Sequence, residues 1–505
     1  MKNWNLKSLY EGFDETYQKD LNELNHLMDQ YIAHLNGNKD DDVTYIQTYL
    51  KHQESLTIYA RNLSSFASLT WATDVSNKEA PLYLSKLQAI FRKATEADVA
   101  FSRYLLDVNL DELSTKSELI STYLYLLKRE QKQASYLISE KEEVLYAKLR
   151  ELSSQSWGQL QGLLTAELDV LYEGKEITLS EVRNLAYDLN KEVRKKAYEA
   201  ELKAYEKIDG AVALALSNIK REVLLMTKLR GFNHPIEPTL FQSKISKEIL
   251  DAMISAMESF KGDFASYLKA KSAYLGYDKG LPFYELFAPV GSLEKTYTYD
   301  EACALIIDAF SSYSQKLSDF AKKAFDNEWI DVYPKKGKRG GAFCSNQPQK
   351  NESRVMLNFT GSLSDVLTLA HELGHAYHGD VISDNPPLFW SYPMPLAETA
   401  SIFCETITNH YLLSEFKDEK ARLSVLENAL QGDTQVIIDI LSRYYFENQL
   451  FEHAEGPMNK HQMKEMMINA QKDAYLDGLD HEILHPYMWL NKGHYYSAGL
   501  NFYNF

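Results

Sequence analysis

Cysteine is scarce in this 505-residue chain: Cys303, Cys344 and Cys404 are its three thiols, widely spaced and without a CxxC pair. That scarcity argues against a disulfide framework or a thiolate zinc cluster and fits a reducing compartment. Long apolar runs are missing too. No stretch approaches the roughly 20 residues a membrane helix needs, and the opening MKNWNLKSLYEGFDE lacks the apolar segment of a signal peptide. Positive charge is in deficit, with 54 Lys and Arg against 71 Asp and Glu and a formal net charge of −17. Such a surface repels polyphosphates and anionic lipid, which sets nucleic acid and membranes aside as partners and leaves a soluble cytoplasmic protein as the expectation. No repeat period of about 20 to 50 residues and no low-complexity tract is visible, so solenoids and linker-joined modules are disfavoured.

What is present is an ordinary globular balance, 45% apolar and 25% charged, in a chain long enough to bury a large core. Tyrosine is unusually common at 34 residues, suited either to packing between helices or to lining a polar cleft. Phe13, Tyr17, Leu21, Leu24, Met28, Tyr31 and Leu35 recur at spacings of four and three, one apolar stripe on a long helix. Similar periodicity with little Pro or Gly continues to about residue 228, including 116–149 and 179–205, so this part reads as helical. Turn residues then become denser at 230–238, 277–292 and 333–353, and RVMLNFT (354–360) alternates as a short strand would. A mainly α fold with a small β-sheet is expected.

The segment GSLSDVLTLAHELGHAYHGD (361–380) carries the chemistry. Ser362 followed by Asp365 forms a capping box for a helix ending near Gly379. On that helix His371 and His375 are one turn apart, so their imidazoles can converge on one tetrahedral Zn²⁺. Glu372, rotated by one position, reaches the open coordination corner instead. Zinc brings the pKa of its water to about 7, and a carboxylate in reach can take that proton during attack on a peptide carbonyl. The pattern arises by chance often enough to need support from its surroundings.

A catalytic zinc needs a third protein ligand and one open position. Glu398 is the candidate, in PMPLAETASIFCETITNHYLL (393–413), where Pro393 and Pro395 block a helix upstream and Ala397 onward reads as helical. Glu405 lies two turns along the same face, suited to hold an imidazole N–H of a liganding histidine. The bland reading makes both surface residues or partners of Lys or Arg. Ile402, Phe403 and Ile407 favour a buried helix and hence the metal. A metzincin would carry a third His three residues after a Gly, whereas here His378 and Gly379 follow the motif and residue 381 is Val. His378 therefore reads as a supporting or packing residue, with substrate contact as the alternative.

With HELGHAYH, AETASIFCE, the strand-like RVMLNF and LPFYELFAP (281–289), the chain resembles the oligoendopeptidase F group of the M3, or thimet oligopeptidase, metallopeptidases, over most of its length. The resemblance implies zinc ligands at His371, His375 and Glu398, one Zn²⁺ per chain, and Glu372 as catalytic base. It implies a mainly α, two-lobed metallopeptidase enclosing a deep channel that admits short peptides, with a helical lobe over 1–185 and the catalytic domain over 186–505. The C-terminal GHYYSAGLNFYNF (493–505) looks like the family segment that covers the zinc, making His494 and Tyr503 candidates to stabilise the oxyanion and Tyr496 a candidate to bind substrate. Gly340, Gly341 and Ala342 resemble the edge that pairs with substrate backbone, although a plain Gly-rich turn is the other reading. Family members continue past this point, so a chain ending at Phe505 is expected to be truncated. Two readings of other classes stay open: a non-catalytic peptide-binding scaffold, and a helical interaction module with an accidental HELGH. Oligomeric state is not legible.

Overall fold

The computed structural model describes residues 2–291, 295–453 and 456–499. Long helices carry the chain, as the periodicity requires. The first, Glu15–Leu35, starts on Asp14, whose carboxylate accepts from the Thr16 and Tyr17 amides, and buries Tyr17, Leu21, Leu24, Met28, Tyr31 and Leu35. Two stretches expected as continuous helix are broken. Ser117 caps Glu118–Ala134 and a second helix runs Glu140–Leu152. Leu179–Asn184 is separated from Lys191–Tyr205 because Asp188 and Asn190 take up backbone amides with their own side chains.

Five short strands punctuate the helices: β1 (Asp169–Tyr172), β2 (Lys175–Thr178), β3 (Ile330–Asp331), β4 (Phe343–Gln347) and β5 (Glu352–Met356). The antiparallel β1–β2 hairpin corrects the helical reading there. Its two-residue turn places Glu173 and Gly174 at φ +48° and +82°, the left-handed pair such hairpins use. The other three strands form a sheet ordered β3-β5-β4, β5 running parallel to β3 and antiparallel to β4. The strand expected at 354–360 begins two residues earlier and ends at Met356. Beyond it, the Leu357 and Phe359 amides still bond to the Asp331 and Val332 carbonyls at 2.9 Å, before Gly361 turns the chain at φ +101°.

The chain divides into two compact units. One gathers Met1–Val144, Glu294–Tyr392 and Leu396–Glu415, the other Leu145–Leu293, Pro393–Pro395 and Phe416–Phe505. They interleave along the sequence, whereas the sequence reading draws one boundary between 185 and 186. The first unit has its core among the opening helices, around Tyr17, Leu24, Leu63, Phe101 and Tyr123. The second is built around Tyr205, Leu216, Met463, Tyr475 and Trp489. Many of the large buried tyrosines serve this packing and tie helices together through their hydroxyls, as Tyr31 does to the Asp98 carboxylate at 2.6 Å and Tyr17 to the Leu63 carbonyl at 3.1 Å.

Candidate metal centre

In the first unit Ser362 opens the helix Leu363–Ile382. Its hydroxyl accepts from the Asp365 amide at 3.1 Å, and the Asp365 carboxylate accepts the Ser362 amide at 3.0 Å in return. The helix runs past Gly379, which is not its stop. A Cβ at Gly379 would lie 2.3 Å from the Asn346 side chain on β4, so this glycine lets the helix lie against the sheet. Gly374, inside HELGH, has the same role on another side. A Cβ there would meet the Ala400 carbonyl oxygen at 2.5 Å and the Ser401 Cα at 2.6 Å, both on the helix Thr399–Glu415. That contact brings Glu398 to the histidines.

Glu398 stands one residue before that second helix, and its carbonyl accepts the Ile402 amide at 3.0 Å. Its Oε2 lies 3.1 Å from His371 Nε2 and 3.2 Å from His375 Nε2. One donor atom from each of the three falls within 4.8 Å of the others, and no other group of His, Cys, Asp or Glu among the described residues meets that test. The hydrogen bonds from His371 and His375 hold the Glu398 carboxyl well below the usual carboxylate range. Ser401 Oγ also donates to Glu398 Oε2, at 2.6 Å. Burial would lower the His371 pKa, but Glu398 and Glu405 outweigh it and raise it to about 10. Glu405 Oε2 faces His371 Nδ1 at 3.3 Å. A proton on Nδ1 facing Glu405 fixes the ring, and loss of the Nε2 proton would free that nitrogen's lone pair for a metal held with Glu398. Glu372 is 6% exposed, and its Oε2 has no hydrogen-bond partner among the described residues. Burial pushes its pKa upward.

The model of peptidase family M3 matches residues 184–505. The chain belongs to peptidase family M3. Oligopeptidase PepF of Bacillus subtilis is 24% identical over 508 residues, 98% of this chain and 75% of that protein. Group B oligopeptidase PepB of Streptococcus agalactiae is 24% identical over 515 residues, covering 98% and 83%. The crystal structure of oligoendopeptidase-F from Enterococcus faecium superposes with a TM-score of 0.69 at 18% identity, covering 97% of this chain and 86% of that one, a likeness of fold. The resemblance to the oligoendopeptidase F group, and the mainly α fold it implies, both hold.

Around the M3 centre, the helix carrying Glu405 is more open than Ile402, Phe403 and Ile407 suggested. Ile402 is 37% and Phe403 46% exposed, while Ile407 joins Ser401, Cys404 and Thr408 on the single buried face. Phe403 instead meets the Tyr313 ring at 5.1 Å. His378 stacks on Tyr392 at 4.3 Å, and its Nδ1 is buried without a hydrogen-bond partner among the described residues. Gly340, Gly341 and Ala342 are not strand residues. Gly341 has φ +80°, which breaks extended geometry, and β4 begins only at Phe343. The Gly341 carbonyl is taken by Asn358 Nδ2 at 2.9 Å. In the second unit, His494 is exposed on the turn Gly493–Tyr496, whose two tyrosines are buried. Tyr496 is 6% exposed and donates its hydroxyl to the Trp489 carbonyl at 3.1 Å. Tyr503 falls outside the described residues. Sequence reading passed over Gly374 and Ser401. Gly374 inside a helix costs stability relative to Ala, which is itself a signal of close packing. Ser401, three residues after Glu398, has the spacing of a side chain that bonds back at a helix start.

Proposed function

We propose that this M3 peptidase is a zinc-dependent endopeptidase of short oligopeptides, with one Zn²⁺ per chain held by His371, His375 and Glu398 and with Glu372 as general base. The observation that carries the reading is the approach of both Nε2 atoms to one carboxylate oxygen at 3.1 and 3.2 Å. Tetrahedral N and O ligands on bonds of about 2.0–2.2 Å stand roughly 3.4 Å apart, so the donor set and its spacing fit zinc. When bound, zinc supplies Lewis-acid polarisation of the scissile carbonyl and acidifies water.

The chain's own residues do the rest. Glu405 orients His371, and Ser401 orients Glu398. Glu372 takes a proton from the attacking water, a role suited to a buried carboxylate with a raised pKa and an oxygen left without a partner. The same proton then goes to the leaving amine. His494 and Tyr503 are proposed as donors to the developing oxyanion and the 340–342 turn as a substrate contact, on family likeness, whereas Tyr496 is buried with its hydroxyl engaged by Trp489 and is left out of the substrate contacts. The oligopeptide substrate class rests on relatives named oligopeptidase. No described helix is long and apolar enough to cross a membrane, and a cytoplasmic site of action belongs to the same proposal.

Glu372→Gln tests the reading. Zinc content should stay at one per chain while turnover of a fluorogenic oligopeptide falls by about 10²–10⁴-fold, the range typical of a general base. Normal turnover in that variant would remove Glu372 from its role, and zinc-free activity of the native chain would remove the metal.

A further inference from the structure

The second unit encloses a cavity of about 370 Å³, at the small end of the roughly 300–1,000 Å³ range of ligand pockets. Part of its wall is aromatic, from Tyr187, Tyr198, Phe283, Tyr284 and Phe287. The rest is charged, and the charges do not cancel. Arg183 is paired with Glu201 at 3.1 Å, Arg194 with the buried Glu285 at 2.6 Å, and Arg443 with Asp439. Asp439 also accepts from Tyr475 at 3.1 Å, and Glu201 from Tyr205 at 2.8 Å, so both acids of the wall are already engaged. The turn that carries Gln435 and Asp439 is a π-helical segment, Gln435–Asp439, which sets both residues on the cavity wall. Such bulges cost regular hydrogen bonding and gather at functional sites.

One cation of the wall has no close partner among the described residues. The Lys492 ammonium has no ion-pair or hydrogen-bond partner among the described residues; burial beside Arg443 brings its pKa down to about 8, which the more distant Asp439 and Glu201 only partly offset. His485 is 2% exposed, with its ring nitrogens closed off from the cavity and its Nε2 turned to Glu201 at 3.6 Å. A cation without a direct partner facing a partly apolar cavity is costly unless an anion joins it.

We propose that this cavity is a binding site for the carboxylate of a small apolar or aromatic acid, a free amino acid or the C-terminal residue of a peptide, with Lys492 facing the carboxylate and the aromatic wall covering the side chain. The proposal stands on the second unit alone and does not rest on the zinc reading. A carboxylate would give Lys492 a direct partner, and a ring would lie against the aromatic wall that includes Tyr198 and Phe287.

Isothermal titration of the full zinc-loaded chain with N-acetyl-L-phenylalanine tests it, with the corresponding amide as the uncharged control. The acid should bind, and the amide at least tenfold more weakly. Lys492→Met should weaken the acid to the level of the amide at unchanged zinc content, which separates this site from carboxylate binding at the metal. Lys492→Arg should restore the preference. Melting temperatures of both variants check that the fold is kept. Parallel titrations with phenylalanine and with a tripeptide ending in phenylalanine assign the source of the carboxylate: tighter binding of either supports the site. Equal binding of acid and amide, or a Lys492→Met variant that binds the acid as the native chain does, would overturn it.

Discussion

Gly374→Ala puts the sharpest strain on the metal centre. The new methyl would lie 2.5 Å from the Ala400 carbonyl oxygen and 2.6 Å from the Ser401 Cα, where ordinary contact begins at 3.4 Å. Both obstacles are backbone of the helix behind Glu398, so no side chain can simply swing aside. Relief requires the two helices to part by about 0.9 Å, several times the ~0.2 Å within which metal–ligand distances are held. Overpacking of this kind costs about 1–3 kcal/mol of stability. A misplacement near 1 Å costs about 10²-fold in rate. The expected result is a Gly374→Ala chain whose zinc affinity, measured by competition with a chromophoric chelator, drops at least tenfold and whose kcat/KM on a fluorogenic peptide drops about 10²-fold. Gly162→Ala is the control: nothing lies within 4 Å of its Cβ position inside the helix Ser154–Ala166, so it should be neutral or stabilising by up to ~1 kcal/mol. Native zinc affinity and turnover in Gly374→Ala would refute the claim that this close approach positions Glu398.

Glu405→Ala and Ser401→Ala should each weaken zinc binding by about 10–100-fold, read by the same chelator competition, because they remove the contacts to His371 and Glu398 at 3.3 and 2.6 Å. Arg194→Ala leaves Glu285 buried without its cation and should destabilise the chain by about 3–5 kcal/mol in urea, whereas Arg194→Met with Glu285→Leu should recover most of the loss. In the metal-free chain the His371 pKa, raised to about 10, contributes stability that is fully present below the unfolded value of 6.5 and is lost as pH rises through about 10. Glu398, held below its ordinary value, contributes stability present above 4.5 and lost as pH falls. The rise in melting temperature on adding zinc should therefore be larger at pH 9 than at pH 6, since the metal must displace the His371 proton.

The centre was legible in the sequence because its parts are local. One turn of helix separates His371 from His375, and a capping box at Ser362 and Asp365 fixes where that helix begins. The need for a third ligand suggests Glu398, but what brings it beside the two histidines is a contact between two helices through Gly374, and such contacts leave only a faint local trace. The exposure of Ile402 and Phe403 was hidden for the same reason: apolar character does not say which face of a helix meets a neighbour. The breaks near Ser117 and Asn190 and the hairpin at Glu173–Gly174 were missed because polar side chains that cap or turn the backbone were embedded in strongly periodic segments. The interleaved units depend on tertiary pairing, which periodicity does not encode.

The most direct measurement is anomalous diffraction at the zinc edge from crystals of the zinc-loaded chain. A single strong peak about 2.0–2.2 Å from His371 Nε2, His375 Nε2 and a Glu398 carboxylate oxygen is expected. A peak elsewhere in the chain, or one that persists unmoved when Glu398 is replaced by Ala, would contradict the three-ligand site.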